Sequence, residues 1–216
     1  MNIFEFNHDP PVIEEFMGSK IYYIDNFFKR PDTVVNFLEK APVEFHEPHT
    51  KKGFKSLNGI NFYDMRHELH LNDFSPVVKY LSKICGQKIG CDANVLQTNM
   101  TRFKNIPFND YKNNYWFPHT DPGYTALIYL NKDDEQNGTN LYKLNDNSFN
   151  PNHNNVGEHV EPWKSKDQWS LLKTIKPKYN RCILFNGLFY HGMNIENERY
   201  FKNEFRKNIV VLFKAK

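Results

Sequence analysis

From Asn94 onward the sequence breaks into short runs of β-branched, aromatic and aliphatic residues: NVLQTNMTRF, YTALIYLN, GTNLYKL, RCILFNG and KNIVVLF. Clusters of Asn, Gly and Pro separate them. Runs this short are strand-sized, and their density and punctuation predict a β-sandwich or barrel. The pattern ahead of them is different. KIYYIDNFF reads as a first strand, closed by Asp25 and Asn26. A helix is predicted from Pro31, because Pro suits a first helical turn, Val34, Val35, Phe37 and Leu38 form a mostly one-sided stripe, and Pro42 stops it. A second helix, from Ser75 to Cys85, carries Val77, Val78, Leu81 and Ile84 and ends at Gly86. The expected fold class is mainly β with flanking helices. One domain over residues 1–216 is the economical division, with N-terminal helical support over about 20–90 and a β core over about 94–213. The stretch from His46 to His70 reads as irregular strand and loop. The aperiodic, Asn-rich stretch from Asn145 to Asp167 reads as a surface excursion between strands.

Composition narrows the function classes only modestly. At 216 residues, 39% hydrophobic and 25% charged, the chain has enough apolar material for a sizeable core, which excludes a disordered or collagen-like chain. Lys and Arg number 28 against 25 Asp and Glu, a net charge of +3 too mild to require a nucleic acid or a membrane surface as partner. Cys85, Cys91 and Cys182 are odd in number and lack CxxC spacing, so a disulfide framework is not expected and a reducing, cytoplasmic setting fits. No apolar run approaches the roughly 20 residues of a membrane helix. The N-terminal MNIFEFNHDP is broken by charge and Pro before it resembles a signal sequence.

The segment with most chemistry is WFPHTDPGYTALIYLN. His119 and Asp121 are one residue apart, so in an extended segment both side chains project from one face and can reach one ion. His191, at the end of the apolar run in NRCILFNGLFYHGMN, offers a third ligand. Two imidazoles and one carboxylate on adjoining strands form a facial triad, which leaves coordination positions open on Fe(II). The other histidines do not carry such a pattern. HEPH (His46 to His49) and HELH (His67 to His70) lack HExxH spacing, and His153 and His159 fall in the polar excursion.

With these features in order, the sequence resembles the iron(II)- and 2-oxoglutarate-dependent oxygenases, in particular the prolyl-hydroxylase-like branch. The resemblance covers Asn94 to Phe213. It is carried by His119 and Asp121, the strand TALIYLN, the segment NGTNLY, His191, and Arg206 opening the last strand. It implies a double-stranded β-helix core of jelly-roll or cupin type. It also implies Fe(II) held by His119, Asp121 and His191, 2-oxoglutarate as cosubstrate, and O2 as oxidant. The far carboxylate of 2-oxoglutarate would meet Arg206, whose guanidinium can hold it bidentately. Arg199 is the rival cation, nearer His191 but followed by the polar YFKNE. Tyr129 matches the family's Tyr before Leu-Asn, where the hydroxyl helps bind the same carboxylate, and Asn99 is a further candidate for the pocket wall.

The implied reaction couples decarboxylation of 2-oxoglutarate to succinate and CO2 with hydroxylation of a substrate. The carboxylate of Asp121 favours hydroxylation over halogenation, since halogenating relatives lack it. Tyr115, Trp116 and Phe117, just before the triad, are candidates for a substrate wall, and Arg102 with the loop Asn105 to Asn114 for a lid. Enzymes of the branch oxidise protein side chains, free amino acids and other small molecules, so the partner is a small-molecule or peptide substrate of unspecified identity. Two other readings stand beside this one: a non-catalytic cupin-like binding module, and a metal-dependent hydrolase or isomerase on the same barrel.

Overall fold

The computed structural model describes residues 3–40, 63–64, 71–86, 93–103, 107–132, 134–145 and 163–213. The stop at Pro42, Cys91, His153, His159, and most of the stretches His46 to His70 and Asn145 to Asp167 lie outside the described residues. In chain order the elements are β1 (Val12–Phe16), β2 (Ser19–Ile24), α1 (Pro31–Lys40), β3 (Tyr63–Asp64), α2 (Leu71–Ile84), β4 (Ala93–Phe103) and β5 (Asn114–Trp116). They continue as β6 (Tyr124–Tyr129), β7 (Thr139–Leu144), β8 (Trp163–Ser165), β9 (Trp169–Ile175), β10 (Cys182–Asn186), β11 (Tyr190–Met193) and β12 (Arg206–Phe213). The chain is mainly β.

A seven-stranded sheet runs β1-β2-β10-β6-β12-β4-β3, a three-stranded sheet runs β11-β7-β9, and β5 pairs with β8. Every pairing is antiparallel. Period-2 alternation in the central strands explains why they read as continuous apolar runs, since both faces of the large sheet are covered. On one face Ala126 and Ile128 of β6, Cys182 and Leu184 of β10, and Ile209, Val211 and Phe213 of β12 pack against Val34 and Leu38 of α1 and Val77, Val78 and Leu81 of α2. On the other face Leu127 and Tyr129 of β6 and Ile183 and Phe185 of β10 meet Leu141 of β7 and Ile175 of β9. The helices therefore back the large sheet, and the three-stranded sheet faces it across a second core.

The strand of KIYYIDNFF ends at Ile24, ahead of the stop signals Asp25 and Asn26 as expected, and Phe27 and Phe28 are buried beyond a turn at Asn26, whose φ is +52°. Other boundaries differ from expectation. β1 and β9 were not anticipated, because both present much of their length to solvent and lack clean alternation. β1 joins β2 through Met17 and Gly18 at φ +49° and +74°, the left-handed geometry of a tight hairpin. α2 begins four residues ahead of Ser75 and carries Pro76 inside it, while Gly86 at φ +71° ends it as expected. Cys182 is a buried free thiol. No helix among the described residues is long and apolar enough to cross a membrane.

Candidate metal centre

The segment between β5 and β6 brings His119 opposite His191 of β11 in an isolated antiparallel bridge. Asp121 is anchored by its own N–H to Gly187 O at 2.8 Å, and Gly187 N–H returns to Gly123 O at 2.8 Å. Those main-chain bonds converge the three side chains. The ligand atoms of His119, Asp121 and His191 all lie within 4.8 Å of one another. His191 Nε2 stands 3.1 Å from Asp121 Oδ2, and His119 Nε2 3.9 Å from Asp121 Oδ1.

Each imidazole has its tautomer assigned by a carbonyl. His119 Nδ1 is 2.9 Å from Phe117 O and His191 Nδ1 is 2.8 Å from Phe189 O, so each Nδ1–H donates to a carbonyl and each Nε2 is turned toward Asp121, where that of His191 shares a hydrogen bond with Oδ2 that a metal would replace. Thr125 Oγ1 donates to Asp121 Oδ2 at 3.0 Å, fixing the carboxylate. Burial, and then the neighbouring His191, hold the His119 pKa down at about 4, against the pull of Asp121. For Asp121 burial acts to raise the pKa, but the bond and charge of His191, the charge of His119 and the Thr125 hydroxyl outweigh it and the net direction is down. At neutral pH the site therefore holds an ionised Asp121 beside an uncharged His119. The His191 side chain is 5% exposed and that of Asp121 14%, against 35% for His119, so the cluster opens on the His119 side.

Two glycines permit the close approach. A Cβ on Gly192, next to His191, would lie 2.3 Å from Trp116 O, and one on Gly187 would lie 2.6 Å from Asp121 O. Neither contact involves a side chain able to swing away. Phe117 sits at φ +28°, an uncommon backbone for a bulky residue, and its ring stacks at 5.4 Å on His119.

The triad lines one cavity of about 200 Å³ between the two sheets, together with Asn99 and Thr101 of β4, Thr125 and Leu127 of β6, Thr139 of β7, Gly192 and Met193 of β11, and Arg206, Asn208, Val210 and Leu212 of β12. Arg206 is 4% exposed. Its Nε donates to Asn137 O at 3.3 Å and an Nη to Gly138 O at 3.1 Å. Among the described residues no carboxylate lies within ion-pair distance of it. A buried guanidinium bonded only to carbonyls keeps its charge uncompensated among the described residues. Asn99 and Asn208 are register partners across β4 and β12, both buried, and neither Oδ1 has a hydrogen-bond partner among the described residues. The sequence reading missed Thr125, Thr139 and Asn208. Asn208 was findable, since it lies two residues beyond Arg206 and so shares its face of β12.

The other candidates take different places. Tyr129 is buried behind the wall, its hydroxyl sharing a 2.7 Å hydrogen bond with Thr139 Oγ1 and its ring 6.0 Å from the Arg206 guanidinium. Burial pushes its pKa up to about 12, so it stays a neutral phenol. Trp116 belongs to a separate aromatic core with Phe103, Ile195 and Tyr200. Tyr115 packs 4.6 Å from Tyr142, and the Arg102 guanidinium lies 4.9 Å from the Phe205 ring. None of these three side chains lines the cavity. Arg199 pairs with Glu204 and stays outside the cavity as well, which separates it from Arg206. Of the lid candidate, residues 107–114 are described, and Tyr111 ties them down by donating to Asn194 Oδ1 at 2.7 Å. No family model and no curated protein matches the chain.

Proposed function

We propose that the protein is an Fe(II)- and 2-oxoglutarate-dependent dioxygenase that hydroxylates a protein side chain or a small molecule such as an amino acid, with release of succinate and CO2. One observation carries the reading: a two-histidine, one-carboxylate cluster and a buried guanidinium with no carboxylate partner among the described residues line the same cavity. The strand order supports it. From β4 on, the chain alternates between the large sheet, with β4, β6, β10 and β12, and the three-stranded sheet, with β7, β9 and β11, an alternation that suits a double-stranded β-helix.

The donor set fits iron, since imidazole and carboxylate in a facial arrangement with open positions suit Fe(II). His119, Asp121 and His191 would hold it. Bound iron would supply the activation of O2 and the oxidative decarboxylation of the 2-oxo acid, and the residues around it position the reactants. Arg206 receives the far carboxylate of 2-oxoglutarate, and Thr139, held by the Tyr129 hydroxyl, stands beside that path. The apolar side chains of Leu127, Val210 and Leu212 exclude water from the cosubstrate's methylenes. A hydrolase or isomerase has no use for a buried cation in the same cavity, which places that reading second.

Succinate is the discriminating product. With Fe(II), 2-oxoglutarate and air, the protein should release succinate slowly even without a primary substrate, and Asp121→Ala should not. Absence of succinate above the level of free iron would leave the non-catalytic binding barrel as the better reading.

A further inference from the structure

The segment joining β6 to β7 contains a buried acid that the reaction does not use. Asp134 is 4% exposed, yet it touches neither the triad nor the cavity. Its Oδ1 accepts the N–H of Gln136 at 3.1 Å, the N–H of Asn137 at 2.9 Å and Asn137 Nδ2 at 3.1 Å. Its Oδ2 accepts the Tyr200 hydroxyl at 2.6 Å. Burial acts to raise its pKa, and this set of donors reverses the direction and keeps it ionised.

What this acid shapes is the peptide pair that aims Arg206. The carbonyls of Asn137 and Gly138 are the two acceptors of the Arg206 guanidinium. Gly138 O also accepts the N–H of Asn194, three residues beyond His191, at 3.1 Å. The segment is also pressed on the end of β9, since a Cβ on Gly138 would meet Ile175 O at 2.0 Å. The two carbonyls thus belong to a segment tied to the Asp134 carboxylate and packed on the end of β9.

We infer that Asp134 is the positioning residue for Arg206: by shaping the 134–138 segment it aims the guanidinium along the cavity and so sets the preference for a cosubstrate with a second carboxylate. Tyr200 is its clamp. The inference rests on the proposed dioxygenase reading, and it concerns selectivity between 2-oxo acids, which a purely structural role would not change.

The test compares 2-oxoglutarate with 2-oxovalerate, which has the same five-carbon chain without the far carboxylate. Each is titrated anaerobically into the Fe(II)-loaded protein and followed by visible charge-transfer absorption. Asp134→Ala should weaken 2-oxoglutarate about tenfold, the scale of a misaligned charge-assisted hydrogen bond, and leave 2-oxovalerate and Fe(II) affinity within about twofold. Tyr200→Phe, which removes only the clamping hydroxyl, should move selectivity in the same direction by a smaller factor, and serves if Asp134→Ala does not fold. Equal weakening of both acids, or unchanged selectivity in a folded variant, overturns the positioning role. Failure of the wild-type protein to prefer 2-oxoglutarate would instead overturn the dioxygenase reading, and the inference with it.

Discussion

His119 and His191 exchange both main-chain hydrogen bonds, with N–H to O distances of 3.0 and 2.8 Å. The spacing of their rings, 4.5 Å between centroids, is therefore set by backbone pairing before any ion arrives. Each ring is then fixed in rotation by a carbonyl two residues earlier in the chain. Preorganisation of this kind places the affinity in the ligands and their supports, where substitution can read it.

Asp121→Ala and His191→Ala should each reduce Fe(II) affinity by more than the roughly 100-fold that loss of an outer-shell partner can cause. Thr125→Ala, which removes only the donor to Asp121 Oδ2, should cost about tenfold. Anaerobic Fe(II) titration of the three variants orders them. A Thr125 effect equal to that of Asp121 would mean that the carboxylate is not itself a ligand.

The metal-free protein should lose stability as pH falls from about 6.5 toward about 4. His119 is held at about 4 when folded against an ordinary value of 6.5, so between those values the unfolded chain binds more protons. The contribution is fully present above the unfolded value and is lost as pH falls through the folded one. Fe(II) held by His119 would compete with protons for the same nitrogen, so its binding should weaken over the same interval. Thermal melts of wild type and His119→Gln from pH 4 to 7 check this, with the variant showing the shallower dependence.

Gly192→Ala should destabilise the fold by about 1–3 kcal/mol, because its methyl meets the Trp116 carbonyl and must displace backbone. Urea denaturation measures the loss. Since His191 is the adjacent residue, Fe(II) affinity should fall in the same variant.

Arg206→Met should raise the 2-oxoglutarate requirement at least about tenfold while leaving Fe(II) affinity within about twofold. The aliphatic length is retained, and no carboxylate among the described residues loses its partner, so the melting temperature should not drop sharply. Selective loss of iron in this variant would contradict the role given to Arg206.

Much of this arrangement was legible in the residues, for identifiable reasons. The two-sided burial of β6, β10 and β12 makes their runs continuously apolar, and α1 and α2 show one-sided stripes because only one side is covered. β1 and β9 escaped because their solvent-facing lengths leave no apolar period to read. His119, Asp121 and His191 were legible from spacing and order, and Arg206 from its place before an apolar run. Thr125, Thr139 and Asn208 were not singled out, since a threonine or asparagine in a strand announces nothing until the opposite sheet is in place. Trp116 looked like a substrate wall because it precedes the triad in sequence, but its side chain packs into the core with Phe103 and Tyr200.

The most direct measurement is anaerobic titration of 2-oxoglutarate into the Fe(II)-loaded protein, followed in the visible region. Bidentate binding of the 2-oxo acid at the triad predicts a saturable charge-transfer band that is absent in Asp121→Ala and needs more cosubstrate in Arg206→Met. A protein that binds Fe(II) tightly yet develops no band at saturating 2-oxoglutarate would contradict the account.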